Sequence, residues 1–579
     1  MSRFLCLVIL FFCVSLFCGL LAGTVVATPA TADGVTAEPR NDTTKTAAIT
    51  ELYPNPAATN NPGEFVTVRF PPGVNRSAYE IADPYTNVTL STHDGDYLDG
   101  NQTSSVDDST PRHVPNPSDE WTEITYSTDA NRTAWLTDRT VAPFSGFISL
   151  ADDGDHVRLL RNGTVIDELS YDRTRQATVY DVRAEEWSPL GATEKPVIAT
   201  DGGTVEAFVL PDNSERAVEF LESAEERIIV GGYTLSDDDV VKQLVEATER
   251  GVSVEVLVDG SPVGGMTAEE ATALDTLDRG GISVRVLDGE KARYRFHHPK
   301  YALVDDRALV TTENWKPAGT GGQSSRGWAV ITEQSAIVQG LRETYEADSG
   351  WVDTVAWSDH NPTIVDGESA SGSFPTEFNA NTVPVDRTEL LLAPDNAEKA
   401  ILDALEAAEH SIDVKQVQIG DSSFPFVQAV LDAAERGVTV RILLSSTWYA
   451  RDENARLRDW LNEQARIEDL PLEARLAEPG DAYEKIHAKG IVIDRDRALV
   501  GSINWNNNSV QNNREVALLL EGRDVAGYYR EVFEADWKRD ETESALGEEL
   551  PLGLVLGVAA TTLFALLGAS RLEFGAELE

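Results

Sequence analysis

Two stretches of the chain carry the same ionisable side chains at the same spacing. Phe296 to Trp315 (FHHPKYALVDDRALVTTENW) holds His298, Lys300 and Asp305, and Ile486 to Trp505 (IHAKGIVIDRDRALVGSINW) holds His487, Lys489 and Asp494. The set suits attack on a phosphodiester, a poor electrophile that carries negative charge. Neutral imidazole is nucleophilic near pH 7 and can form a covalent phosphoryl intermediate. A second imidazole, if protonated, can donate to the departing alkoxide and then take a proton from water. Strand alternation puts each Lys on the face of its His, where an ammonium neutralises non-bridging oxygens. Thr312 and Asn314 in one stretch, and Ser502 and Asn504 in the other, offer neutral donors to the same oxygens. The scheme calls for no metal or other cofactor, and no side-chain group has metal-ligand spacing.

The duplicated H-x-K-x4-D pattern, each copy ending in Asn-Trp, resembles the paired HKD signatures of the phospholipase D superfamily. That resemblance implies cleavage or exchange of phosphodiester bonds, with His298 as nucleophile and His487 as general acid. It gives Asp305 and Asp494 a supporting role and makes Glu515, in Asn513-Arg514-Glu515, the carboxylate that orients a catalytic His. The first copy has Gly327 near the position matching Glu515, so it is expected to lack that acceptor and the half-sites to be inequivalent. His297 is out of register and is given no chemistry. Trp315 and Trp505 either line the substrate groove or pack.

The elements around the motifs repeat as well. Arg227–Gly231, a helix pattern over 237–250, Gly251 and Ser253–Asp259 recur as a strand over 411–419, a helix pattern over 425–436, Gly437 and a strand over 439–445. Both copies open on Pro-Asp-Asn, at 211–213 and 394–396. Strand-helix-strand order with Gly after the helix predicts two α/β domains with largely parallel sheets, over 201–363 and 386–545. Polar, Gly/Ser-rich residues predict a linker over 364–385. The family resemblance implies that the two domains face each other around a pseudo-two-fold axis.

Residues 40–175 differ in texture, with short alternating runs and dense turn residues that predict an all-β sandwich. Ile49–Pro56 (ITELYPNP), GEFVTV, GFISLADDGDHVRLL and GTVIDELSY resemble a lamin-tail domain. That family implies an immunoglobulin-like fold and a possible surface ligand. His93, His113 and His156 stand isolated and are expected to be surface or core residues. Six N-x-S/T sequons in the N-terminal part of the chain, at Asn41, Asn75, Asn87, Asn101, Asn131 and Asn162, are glycan sites or a by-product of an Asn- and Thr-rich chain.

Residues 1–32 read as a signal peptide ending in Ala30-Thr31-Ala32, with an uncleaved anchor as the alternative. Leu550 to Ala569 is apolar for about 20 residues, enough to cross a hydrocarbon core. The expected placement is the cell membrane, single-pass, with the main body extracellular. All three Cys (Cys6, Cys13, Cys18) lie in the first apolar stretch, so the fold must rest on its cores. Asp+Glu 97 against Lys+Arg 48 gives a net charge of −49, a surface that repels phosphate polymers and anionic membranes. At molar salt, where the Debye length is about 3 Å, that repulsion is screened, so the balance reads as adaptation to high salt.

These features define an exported, membrane-anchored phosphodiesterase, with phospholipid the favoured substrate and partner. An extracellular metal-independent nuclease acting on nucleic acid and a non-catalytic surface binding module are the alternatives.

Overall fold

The computed structural model describes residues 35–36, 46–56, 62–90, 98–99, 121–137, 139–287, 292–351, 353–367 and 370–548. The expected signal peptide (1–32) and transmembrane helix (550–569) lie outside the described residues. Among those described, no helix is long and apolar enough to cross a membrane.

The N-terminal region is a sandwich of a five-stranded and a seven-stranded sheet. Ile49, Val66 and Val68 of one sheet share a core with Ile81, Val157 and Leu159 of the other. It runs past the expected edge at 175. Strand Thr178–Asp181 pairs with Ala48–Tyr53, and Glu186–Pro189 folds back onto it.

The two α/β halves have sheets of matching order. Inside an edge strand, Thr354–Ala356, the first half runs Ser283–Leu287, Ser253–Asp259, Arg227–Gly231, Tyr301–Val304, Arg307–Thr311, Ser325–Thr332, Thr204–Leu210. The second runs Leu472–Leu476, Thr439–Leu444, Ser411–Gln416, Gly490–Ile493, Arg497–Gly501, Glu515–Glu521, Arg387–Ala393. Only the first three strands of each series are parallel, which corrects the expectation of largely parallel sheets. The reason lies in the motifs, each of which is a hairpin. Tyr301–Val304 returns as Arg307–Thr311 through a turn with Asp305 at φ 52°, and Gly490–Ile493 returns as Arg497–Gly501 with Asp494 at φ 53°. Connections of two or three residues can join only antiparallel strands. Asp237 caps helix Asp238–Glu249, and Gly251, at φ 93°, lets the chain leave it for the next strand. Each sheet is backed on its outer face by three helices, and its inner face enters a core common to both halves. Trp328 of the first half sits where a Cβ at Gly490 would lie, so that position must be glycine for the halves to close.

The expected linker is not a passive spacer, because each half begins with an arm that crosses to the other. Ile198–Asp201 precedes the first half yet extends the second sheet beside Arg387–Ala393. Asn381–Pro384, inside the stretch read as linker, extends the first sheet beside Thr204–Leu210. Ile364–Val365, from the same stretch, pairs with Met266–Thr267. The repeated Pro-Asp-Asn motifs hold the arms. Asp212 accepts from the backbone N–H of Glu377 and Phe378, and Asn213 donates to Phe378 O at 2.9 Å. Asp395 likewise accepts from Thr193, and Asn396 donates to Lys195 O at 2.9 Å.

The same aspartates serve two buried arginines. Arg326 pairs with Asp212 of its own half and, at 3.3 Å, with Asp536 of the other. Arg514 pairs with Asp395 of its own half at 3.1 Å and with Asp348 of the other at 3.0 Å. All six side chains are out of contact with water. Removing one member of a buried ion cluster leaves uncompensated charge, at a cost of about 3–5 kcal/mol. Arg514→Ala and Arg326→Ala are therefore expected to lower the unfolding free energy by about that amount each, read as the shift in urea midpoint at constant salt.

Candidate active site

Each histidine is delivered to the other half by backbone pairing. His298 N donates to Arg514 O at 2.9 Å, and Arg514 N donates to Phe296 O at 3.0 Å. Lys485–Ile486 pairs with Ser325 and Arg326, and His487 N donates to Arg326 O at 3.0 Å. The rings therefore sit against carboxylates they do not share a half with. His298 Nδ1 lies 2.9 and 2.8 Å from the two oxygens of Glu515. His487 Nδ1 lies 3.1 Å from Glu313 Oε2. A carboxylate on Nδ1 holds that proton and leaves Nε2 with its lone pair free. The carboxylates are buried, whereas His298 and His487 retain 13% and 17% side-chain exposure, which gives a substrate access to the rings.

Glu313 was missed by the sequence comparison, and its place corrects the expectation that this half lacks an orienting carboxylate. Trp328 exchanges hydrogen bonds with Thr312 as Val516 does with Ser502, so Gly327 matches Glu515 and Glu313 matches Ile503. The carboxylate has moved fourteen residues upstream, and its side chain crosses the space that a Cβ at Gly327 would fill, 2.3 Å from Glu313 Cγ. Two signals for this were present: a charged residue inside Thr312-Glu313-Asn314, and a glycine at the vacated position.

The lysines complete the pairing. Lys300 Nζ donates to His298 O at 2.6 Å and Lys489 Nζ to His487 O at 2.7 Å. Lys489 Nζ also stands 3.3 Å from both ring nitrogens of His487. Burial pushes both imidazoles down to about 4. After burial, the larger influence on His298 is Glu515, which raises it, and on His487 is Lys489, which lowers it further. Burial holds Lys300 well below the usual ammonium range and brings Lys489 to about 8. Burial alone would raise Glu313 and Glu515, but the facing imidazoles and lysines keep both below the ordinary carboxyl value.

The remaining expected residues divide. Asp305 and Asp494, given a supporting role within the motifs from sequence, sit at the turns of the hairpins. Asp305 accepts from the N–H of Glu225, Glu226 and Arg227, and Asp494 from those of Glu409, His410 and Ser411, all within 2.7–3.0 Å. They fasten each hairpin to the neighbouring strand and make no hydrogen bond to His298 or His487. The hydroxyls of Thr312 and Ser502 are buried and bonded to the backbone of Trp328 and Val516, which corrects their assignment as substrate donors. The side chains of Asn314 and Asn504 make no hydrogen bond to other described residues and keep that capacity. Trp315 and Trp505 are fully buried and pack, Trp315 over Gly232. His297, also buried, is 3.0 Å from Gly232 O.

Two imidazoles, each with its own carboxylate and lysine, define a phosphodiester-type centre built between two halves. The sequence model of the family described as "Cardiolipin synthase, PLD-like domain" matches residues 217–349 and again 401–537. The matched segments are the two halves, each a phospholipase D-like domain. It is 28% identical over 137 residues to a phospholipase D of Rickettsia prowazekii, a match covering 24% of this chain and 60% of that relative. A phospholipase D of Rickettsia felis is 24% identical over 175 residues, covering 30% and 80%. A mitochondrial cardiolipin hydrolase of Chlamydomonas reinhardtii is 26% identical over 106 residues, covering 18% and 44%. Among solved structures, the phosphatidylserine synthase of Haemophilus influenzae overlaps 58% of this chain and 86% of its own at 13% identity, with a TM-score of 0.45.

The electrostatics give a direct check. In a nitrogen-15 NMR titration His298 and His487 should protonate near pH 4. Glu515→Gln removes the charge that raises His298 and should move that ring, not His487, to still lower pH. Two rings titrating near the ordinary 6.5 would contradict this arrangement.

Proposed function

We propose that the protein is a phosphodiesterase of the phospholipase D type that cleaves or transfers a phosphodiester, with phospholipid as the favoured substrate. The observation that carries this reading is the crossed pair: two imidazoles, each fixed through Nδ1 by a carboxylate of the opposite half.

His298 Nε2 attacks phosphorus in line, forming the N–P bond as the ester P–O bond breaks. Nucleophilic duty suits His298, because Glu515 raises its basicity and is itself braced by Asn513 Nδ2 at 3.0 Å. The leaving alkoxide takes its proton from His487, whose neighbour Lys489 makes the imidazolium a stronger acid. An anionic diester between Lys300 and Lys489 supplies the negative charge that raises proton affinity at both sites, so bound substrate favours the protonated acid. Neutral His487 then takes a proton from water or an alcohol, which displaces phosphorus from His298. Two inversions give net retention. The apolar run from Leu550 to Ala569 supports a membrane tether beside such a substrate.

Two outcomes test this. In His487→Ala, a diester with a good leaving group should leave a phosphoryl adduct on the His298 peptide by mass spectrometry, and His298→Ala should show none. An adduct on His487 in the parent would reverse the roles, and a protein that turns over no diester and forms no adduct would refute the enzymatic reading. Because the free enzyme must carry His298 neutral and His487 protonated, and both rings lie near 4, kcat/KM should rise as the pH is lowered from neutral toward about 4 and fall below it, and a profile flat from pH 7 to 5 would contradict the assignment.

A further inference from the structure

Among the described residues of the two catalytic halves, five large apolar side chains are strongly exposed: Val263, Ile364, Trp448, Tyr449 and Ile467. Four of them lie in or beside equivalent loops of the two halves. Val263, 76% exposed, lies in the loop after Ser253–Asp259, and Ile364 is tied beside it through the pairing of Ile364–Val365 with Met266–Thr267. Trp448, 79% exposed, and Tyr449 lie in the loop after Thr439–Leu444, the equivalent position in the second half. Both loops leave the carboxyl ends of the central parallel strands. On the first side the connection to the chemistry is direct. Val263 N donates to Tyr233 Oη at 2.6 Å, and the Tyr233 ring is 4.6 Å from that of His298. On the second side, Thr439–Leu444 lies beside Ser411–Gln416, whose antiparallel partner Gly490–Ile493 begins just after His487, so each half carries an apolar loop at the histidine end of its sheet.

Beside Trp448 and Tyr449 opens a cleft of about 450 Å³ lined by Ser446, Arg451, Arg458, Arg475 and Glu478, among others. Arg458 pairs with Asp459 and Arg475 with Glu473. Arg451 makes no side-chain hydrogen bond or ion pair with other described residues. In a chain of net charge −49, an unpaired guanidinium in a concave site marks a place for an anion.

We propose that this end is a membrane-docking face. Trp448, Tyr449, Val263 and Ile364 enter the headgroup level of a bilayer, and the Arg451 cleft receives the phosphate of a lipid next to the one being cleaved. The proposal rests on the phospholipid reading above and adds how that substrate is met. Trp and Tyr favour the membrane interface, where the ring is apolar and the polar atom wet. The aliphatic partners decide against nucleic acid: Val263 and Ile364 offer no stacking surface, and a strand needs a continuous cationic track that this acidic surface lacks. A bilayer needs only the apolar loops.

The full chain in molar salt, which screens the repulsion of its acidic surface, with vesicles of equimolar phosphatidylcholine and phosphatidylglycerol, tests it by quenching of tryptophan fluorescence with lipids brominated along the acyl chain. Quenching should appear in the parent and lose its Trp448 component in Trp448→Ser. That substitution and Val263→Asp should each lower turnover of vesicle lipid, relative to a water-soluble chromogenic diester, by about tenfold. Equal quenching in parent and Trp448→Ser overturns the docking face even if vesicle lipid is cleaved. Quenching of Trp448 by a single-stranded oligonucleotide but not by brominated lipid overturns it in favour of a stacking surface. Loss of the Trp448 component without any lipid turnover supports docking and instead removes the proposed reaction.

Discussion

The contact on which the rest of the molecule depends is the one between each imidazole and the carboxylate of the opposite half. A histidine that must attack phosphorus needs its proton on Nδ1 and its lone pair on Nε2, and a neutral buried ring has no intrinsic preference strong enough to ensure that. Glu515 imposes it on His298 and Glu313 on His487. Because both carboxylates come from across the interface, neither half contains an oriented histidine by itself. Duplication alone would not make the centre; the duplicate has to be docked in register.

Much of the remaining structure enforces that register. The His-bearing segments are laid as short parallel bridges onto Arg514 and Arg326, the residues just before Glu515 and Gly327. The same two arginines reach back into buried aspartates of both halves, so a slip that broke an imidazole contact would also strand charge in a core without water. The exchanged arms add two sheet pairings between the halves, and the Pro-Asp-Asn motifs clamp those arms beside the arginine clusters. The asymmetries are local and compensated. Glu313 needs Gly327, as Trp328 needs Gly490.

A good part of this was legible in the residues. H-x-K-x4-D twice, with a strand-helix-Gly-strand unit before each, gave the two halves and placed His298, Lys300, His487 and Lys489 in one centre. What was not legible depends on which surfaces meet. Period-2 alternation does not distinguish a parallel strand from one arm of a hairpin, so the sheets read as parallel although Asp305 and Asp494 close tight turns. Position-by-position comparison found Gly327 where Glu515 stands and inferred a missing acceptor; a side chain reaching that space from Glu313 is visible only in three dimensions. Thr312 and Ser502 carry the right hydroxyls for a substrate, yet both are consumed by the neighbouring strand. The stretch 364–385 has linker composition, and its strand Asn381–Pro384 is determined by an edge in the other half rather than by its own pattern.

The proposed reaction requires that carboxylate placement across the interface, and not its address in the chain, makes each histidine competent. Exchanging the address tests it most directly: measure phosphodiester turnover in Glu313→Ile and in Glu313→Ile with Gly327→Glu, which gives the first half the arrangement of the second. The single variant should lose about 100-fold or more, in the range for removing a carboxylate that fixes a catalytic tautomer. The double variant should recover most of that loss. Full turnover in the single variant, or a folded double variant that recovers none, would contradict the claim.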